Sequence, residues 1–156
     1  MGYEIRGKTF DEFNVGDEFF TASRTVTESD VVTFAGLSGD FNPIHMDKEF
    51  AEKTPIKGRL AHGMLVFSIA TGLGNQLGIY EGTTIAVLSM TINFKGPVKL
   101  GDTIHVEIKV TEKKESSKPD RGIVTFQTNV INQRGETVID GQWLVLMARK
   151  NRGKSA

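Results

Sequence analysis

A carboxylate and an imidazole lie five residues apart in the segment Gly39-Asp40-Phe41-Asn42-Pro43-Ile44-His45. Histidine titrates near neutrality and burial can tune a carboxylate, so Asp40 and His45 together suit proton transfer. Pro43 fixes its own φ and disfavours a helical Asn42, so the pair must stand on a turn. Asp40 and Asn42 could also serve only the turn, by bonding nearby backbone groups. The residues alone leave both interpretations open.

A second candidate region begins sixteen residues after His45, where Ala61-His62-Gly63-Met64-Leu65 opens the most apolar stretch of the chain. A helix starting at Gly63 would present free N–H groups and a positive dipole end, which suit a developing oxyanion. Glycine has no Cβ, so a substrate could approach its backbone closely. His62 either caps this helix or contacts a substrate. An acid/base pair combined with such a helix predicts an enzyme.

The chain resembles the MaoC-like (R)-specific enoyl-CoA hydratases in two places. Their signature is similar to the sequence from Phe34 to His45, followed by Ala51, and to Ala61–Leu65. The likeness is specific over residues 34–71 and looser elsewhere. It implies a hot-dog fold, no cofactor, at least a homodimer, and reversible addition of water to a trans-2-enoyl thioester of CoA or acyl carrier protein. The family's catalytic Asp and His correspond to Asp40 and His45, and its oxyanion donor corresponds to the N–H of Gly63.

Four further residues are candidates for supporting or substrate-binding roles. Thr71 stands where a hydroxyl in the family can support the catalytic groups, but it could equally bond a preceding helical carbonyl. Asn42 could orient Asp40 or its water, or could only shape the turn. Lys57 and Arg59 lie in a loop broken by proline and glycine. They could contact the phosphates of a thioester carrier or simply be solvated.

The composition limits the class of protein. At 156 residues the chain suits one domain, predicted over 1–150 with a basic tail over 151–156. Basic and acidic residues number 19 each, so no charge excess indicates nucleic acid or an anionic membrane as partner. Cysteine is absent, which excludes disulfides, thiolate metal sites and a cysteine nucleophile. His45, His62 and His105 are too scattered to predict a zinc site.

Neither the N-terminus nor the apolar stretch predicts a membrane or secretory segment. The first residues lack the apolar core of a signal peptide, so we expect a cytoplasmic protein. The stretch from Ala61 to Leu77 falls short of the roughly 20 residues that a membrane span needs, and it contains Ser68 and Gln76. It predicts a buried core helix instead.

Hydrophobic periodicity predicts the elements that position the candidate residues. A capping signature at Thr27–Asp30 and one apolar face give a helix over residues 28–38 that ends near Gly39. A short helix follows over 46–53, with Asp47 as its N-cap, and then a helix over 63–77 that is apolar on nearly every side. One strand over 18–26 precedes the helices. Four follow them, over 83–94, about 103–110, about 124–130, and 137–148.

This order of elements predicts an α+β fold with an antiparallel sheet wrapped round one central helix. A dimer that joins two sheets edge to edge would close an exposed edge. Together with the resemblance, the site predicts a hydro-lyase. A hot-dog thioesterase and a non-catalytic acyl-binding partner subunit are the alternatives. The presence of both Asp40 and His45 argues against the second of these, because a structural partner has no need of the pair.

Overall fold

Seven strands form one antiparallel sheet in the part of the chain that this computed structural model describes, residues 4–150. The strands are β1 (Glu18–Phe20), β2 (Arg24–Thr25), β3 (Thr84–Met90), β4 (Asn93–Phe94), β5 (Thr103–Glu115), β6 (Arg121–Asn132) and β7 (Thr137–Ala148). The sheet order is β1-β5-β6-β7-β3, with β2 also paired to β5 and β4 to β7. The sheet therefore ends at β3 on one side.

Four α-helices lie between β2 and β3: α1 (Glu28–Ser38), α2 (Pro43–Met46), α3 (Lys48–Glu52) and α4 (Gly63–Gln76). α1 begins at a reciprocal capping box, in which the Thr27 hydroxyl accepts from Asp30 N–H at 3.2 Å and the Asp30 carboxylate accepts from Thr27 N–H at 2.8 Å. It ends at Gly39, whose φ of 78° is left-handed. The predicted helix over 28–38 is confirmed.

α4 packs against one face of the sheet, where it contacts β5 and β7. Gly74 allows a close approach, because a Cβ there would lie 3.5 Å from Ile108 and 3.6 Å from Trp143. Phe67 meets Trp143 edge-on, with ring centroids 6.0 Å apart. The prediction that α4 is buried on all sides is wrong for the described chain, because a stripe along the helix stays exposed. This stripe comprises Met64, Ser68, Gly72, Asn75 and Gln76.

The long strands follow the predicted alternation. Ile104, Val106, Ile108 and Val110 of β5 are buried, and His105 lies on the other face beside Glu107. On β6 and β7 the buried side chains include Val124, Phe126, Thr128, Val130, Trp143 and Val145. Leu144 and Leu146 are half-buried, so β7 is less completely covered than its composition predicts.

Two predicted strands are interrupted. The strand predicted over 18–26 is two short strands, β1 and β2, which pair with different parts of β5. The strand predicted over 83–94 is also two, because register shifts near Ala86 and Leu88 break its alternation before it stops at Met90. Two large apolar side chains of this stretch, Leu88 and Phe94, are exposed by 50% and 56%. Bulges of this kind reverse which face a side chain takes.

Residues near the two ends of the described chain contact each other. The predicted basic tail over 151–156 lies outside the described residues. The side chain of Arg149, just before it, lies over the ring of Phe10 at 4.7 Å. Among the described helices, none has the length and apolar character needed to cross a membrane.

Candidate active site

The turn that carries Asp40 is built from local hydrogen bonds. Asp40 N–H donates to the Ser38 hydroxyl, and the Asp40 carboxylate accepts from Asn42 N–H, both at 3.2 Å. The Asn42 side chain caps α2 by accepting from Ile44 N–H at 3.2 Å, while Pro43 occupies the first helical turn, where it needs no N–H partner. Asn42 thus both shapes the turn and orients Asp40 through its backbone.

His45 lies on α2 with its ring fixed by a backbone carbonyl. Its Nδ1 is 2.8 Å from the oxygen of Leu60, and a carbonyl can only accept, so Nδ1 carries the proton. The lone pair is then on Nε2. The side chain is 13% exposed, whereas that of Asp40 is 50% exposed. One group is sheltered and the other is open to solvent.

Asp40 and His45 come together as the sequence indicates. The carboxylate Oδ2 lies 3.8 Å from His45 Nε2, which is too long for a direct hydrogen bond. A water about 2.8 Å from each atom would span that separation. Both atoms are acceptors, so the pair is suited to bind one water and remove a proton from it.

His62 is buried, with 3% exposure, and its ring stacks on that of His45 at a centroid distance of 3.9 Å. The three histidines are therefore not all scattered, because the loop before α4 folds back onto the turn. The interpretation of His62 as a capping side chain is wrong: it is the N-cap residue of α4, but its imidazole makes no cap bond. Instead, Nε2 lies 2.9 Å from the backbone oxygen of Asp40.

Asp40, His45 and His62 each offer one ligand atom within 4.8 Å of the others, a set that could hold a metal ion. A cation bound to both rings would need to lie near the planes of both. The rings are stacked at an interplanar angle of 30°, so their in-plane lone pairs do not converge without rotation. We therefore assign no metal to this cluster.

Gly63 is the first residue of α4, and within the described chain its N–H has no hydrogen-bond partner. It borders a largely apolar cavity of about 370 Å³. The cavity is lined by His45, Leu60, Ala61, Gly63, Met64, Val66, Phe94, Gly96, Pro97, Val98 and Ile139. An imidazole and a free helix N-terminus thus face one space that could hold an acyl group.

The two loop cations differ in their surroundings. Arg59 donates from Nε to the His45 carbonyl at 2.6 Å and forms a bidentate pair with Glu28, with both N–O distances 2.9 Å. It therefore ties the His45 segment to α1, and contact with a phosphate would require it to leave Glu28. Lys57 is exposed, and its carbonyl accepts from Lys99 Nζ at 2.8 Å. The sequence reasoning missed Lys99, which is remote in the chain.

Thr71 does not join the pair within one chain. It lies eight residues beyond Gly63, about 12 Å along the helix at 1.5 Å per residue. Its hydroxyl donates to the Ser68 carbonyl at 2.8 Å, as expected for a threonine that bonds a preceding carbonyl of its own helix. It borders a separate cavity of about 130 Å³ beside Tyr80 and Trp143. Burial raises the pKa of Tyr80, so its phenol is not a base near neutrality.

Residues 12–132 match the family model described as the MaoC like domain. The chain belongs to this family. It is 36% identical to an (R)-specific enoyl-CoA hydratase of Rhodospirillum rubrum, over 80% of this chain and 82% of that protein. It is 33% identical to a 3-hydroxybutyryl-CoA dehydratase of Methylorubrum extorquens, over 94% and 88%.

The MaoC-like chain also superposes on a solved structure, a monoamine oxidase regulatory protein of Archaeoglobus fulgidus. The TM-score is 0.86 and the identity 37%, with 93% of this chain and 97% of the other covered. The predicted hot-dog fold is confirmed by the antiparallel sheet around α4 and by such neighbours. The two enzymes named above are hydro-lyases, so the predicted enzyme class is confirmed for this MaoC-like domain.

Proposed function

We propose that this MaoC-like chain catalyses (R)-specific hydration of a trans-2-enoyl-CoA to an (R)-3-hydroxyacyl-CoA, or the reverse dehydration. The observation that carries the proposal is the 3.8 Å separation of Asp40 Oδ2 and His45 Nε2, with the free N–H of Gly63 on the wall of the same cavity as His45. The (R) configuration and the thioester come from the relatives that the chain resembles.

The mechanism assigns one task to each group. A water held between Asp40 and His45 adds its oxygen to C3 of the enoyl group. Its proton passes to the pair and then to C2, so the atoms of one water are added across the double bond. Between these steps the thioester oxygen carries enolate charge, which the N–H of Gly63 and the α4 dipole stabilise. Asp40 and His45 share the roles of base and acid.

The cavity and the loop cations support a thioester substrate. The cavity wall is mostly aliphatic and aromatic, which suits an acyl chain. Lys57, with Lys99 against its loop, is our candidate for the phosphates of the carrier, CoA or acyl carrier protein. Arg59 supports the site indirectly, through the His45 carbonyl. Thr71 lies about 12 Å along α4 from Gly63, so we assign it no contact with the Asp40–His45 pair of the same chain.

A hydratase and a thioesterase differ in the carbon atom of the substrate that water attacks. Both reactions need an oxyanion donor at the thioester oxygen, but hydrolysis attacks the carbonyl carbon and hydration attacks C3. We expect purified protein, given a panel of enoyl thioesters of different chain lengths, to consume the conjugated alkene without releasing thiol. Thiol release matching substrate loss would support the thioesterase. Binding with neither reaction would support a non-catalytic acyl-binding subunit.

We also propose a homodimer or higher even oligomer, joined at β3. This strand ends the sheet, and an open edge invites pairing with a second copy. Apolar side chains stand exposed along it, with Ile85 at 40%, Val87 at 49% and Leu88 at 50%. Exposed patches of this kind mark association surfaces.

We expect light scattering to give at least a dimer mass at low micromolar concentration. Leu88→Lys should shift the protein towards monomer, because it would bury a charge in the proposed interface at β3. A matched control, Phe20→Lys, places the same charge at an exposed position on β1, at the opposite edge of the sheet. An active wild-type monomer, or equal dissociation by both variants, would contradict the proposed interface.

A further inference from the structure

We infer that His62 is a positioning residue for the Asp40–His45 pair, acting through a hydrogen bond to the Asp40 backbone. This inference rests on the proposed function and assigns a role in it to His62. His62 is 3% exposed, and its ring touches His45 on one side and lies near Phe34, at 5.0 Å between centroids, on another. Its backbone leads directly into Gly63.

The hydrogen bonds define the tautomer of His62. The Asp40 carbonyl can only accept, so His62 Nε2 carries the proton and donates across 2.9 Å. Nδ1 then holds a lone pair, and it is buried with no partner in the described structure. This atom is not arranged to exchange a proton with either catalytic group. His62 therefore acts through its hydrogen bond to Asp40, not on the substrate.

The bond to Asp40 stands out among the contacts of its turn. In the described chain, the other hydrogen bonds made by residues 39–41 reach no further than Ala35 on one side and Asn42 on the other. Among the hydrogen bonds of the described residues, that of His62 is the one that joins Asp40 to the start of α4, twenty-two residues further along the chain. It therefore sets the distance between the carboxylate and the helix that carries the oxyanion donor.

An orphan buried nitrogen also argues against a role in packing alone. A buried acceptor without a partner lowers stability, and an aromatic hydrocarbon of similar shape would avoid this loss. Phenylalanine at this position would keep the stack on His45 and remove the orphan, but it would lose the Nε2 donor. A histidine is required only if the bond to the Asp40 carbonyl matters.

Two substitutions separate the donor from the ring. We expect His62→Phe to lower kcat by about 10–100-fold, since a misplaced catalytic group can cost about 100-fold, with KM changed by less than about threefold. His62→Gln replaces the ring by an amide donor and should retain a kcat within about fivefold of wild type, because the directional bond dominates. His105→Phe, on the outer face of β5, is the matched control and should leave kcat unchanged.

A double-mutant cycle and a spectroscopic measurement complete the test. In an Asp40→Asn background, His62→Phe should have little further effect on the residual kcat, because it acts through Asp40. Ring nitrogen NMR on unliganded protein should show the Nε2–H tautomer at His62 and the Nδ1–H tautomer at His45. In His62→Phe the Asp40 backbone amide and carbonyl resonances should shift, while the melting temperature stays the same or rises.

The NMR measurement needs no turnover, so its failure is distinguishable from failure of the hydratase proposal. An inactive wild type with the expected tautomers and shifts would overturn only the proposed function. A wild-type kcat in His62→Phe, additive losses in the double mutant, or the Nδ1–H tautomer at His62 would overturn the positioning role.

Discussion

Replacing Asp40 by Asn or His45 by Gln should lower kcat by roughly 10²–10⁴-fold, the range expected for a positioned acid or base. Asn keeps the shape of Asp40 but turns one acceptor oxygen into a donor group. Gln keeps a polar side chain at His45 but removes the Nε2 lone pair that faces the carboxylate across 3.8 Å. Steady-state hydration of an enoyl-CoA, with folding checked by circular dichroism, measures both losses.

The double substitution is informative because the two groups act on one water. Asp40→Asn combined with His45→Gln should lose much less than the product of the single losses. His105→Gln is the matched control, since His105 lies outside the cavity and faces Glu107 on the sheet. Hydration at the wild-type rate in either well-folded single variant would contradict the assignment of Asp40 and His45 as the catalytic pair.

Gly63→Val should lower the hydration rate by about 10²–10³-fold, the loss typical of removing one oxyanion donor. An ideal Cβ at Gly63 would lie 2.6 Å from Cε1 of Phe94, closer than real contacts allow. Either the Phe94 ring or the start of α4 must move. Both border the cavity, so the thioester oxygen would be held away from the Gly63 N–H.

A second glycine provides the control for this substitution. A Cβ at Gly36, on α1, would meet nothing within 4 Å, so Gly36→Val adds the same side chain without crowding. It should leave helix stability unchanged or raise it slightly, because valine has a higher helix propensity than glycine, and the hydration rate should stay close to wild type. If Gly63→Val kept full activity, or if both variants lost it equally, the oxyanion role of Gly63 would be contradicted.

Helix boundaries could be predicted from the sequence where they depend on neighbouring residues. The capping box at Thr27 and the left-handed Gly39 are read from neighbouring residues, and they fix α1 at residues 28–38. The start of α4 at Gly63 follows from an apolar pattern in the same way. These features place Asp40 on a turn and Gly63 at a helix N-terminus before any tertiary contact is known.

The long-range features could not be predicted in this way. The stacking of His62 on His45 and the bond from His45 to Leu60 depend on how the loop before α4 folds back. The Glu28–Arg59 ion pair joins residues far apart in the chain. The sequence offered Arg59 as a phosphate contact, whereas in the structure its guanidinium binds Glu28. The sequence predicts one continuous strand over residues 83–94, but register shifts near Leu88 change which face its side chains take, and such shifts depend on pairing with β7.

The fate of oxygen from labelled water tests the central claim most directly. The wild-type protein is given an enoyl-CoA in water enriched in heavy oxygen, and the products are analysed by mass spectrometry. Addition by the Asp40–His45 pair predicts one heavy oxygen in the C3 hydroxyl of an intact (R)-3-hydroxyacyl-CoA, and its near absence in Asp40→Asn. Heavy oxygen in a free carboxylate, with CoA released, would show that water attacks the carbonyl carbon and would contradict the account.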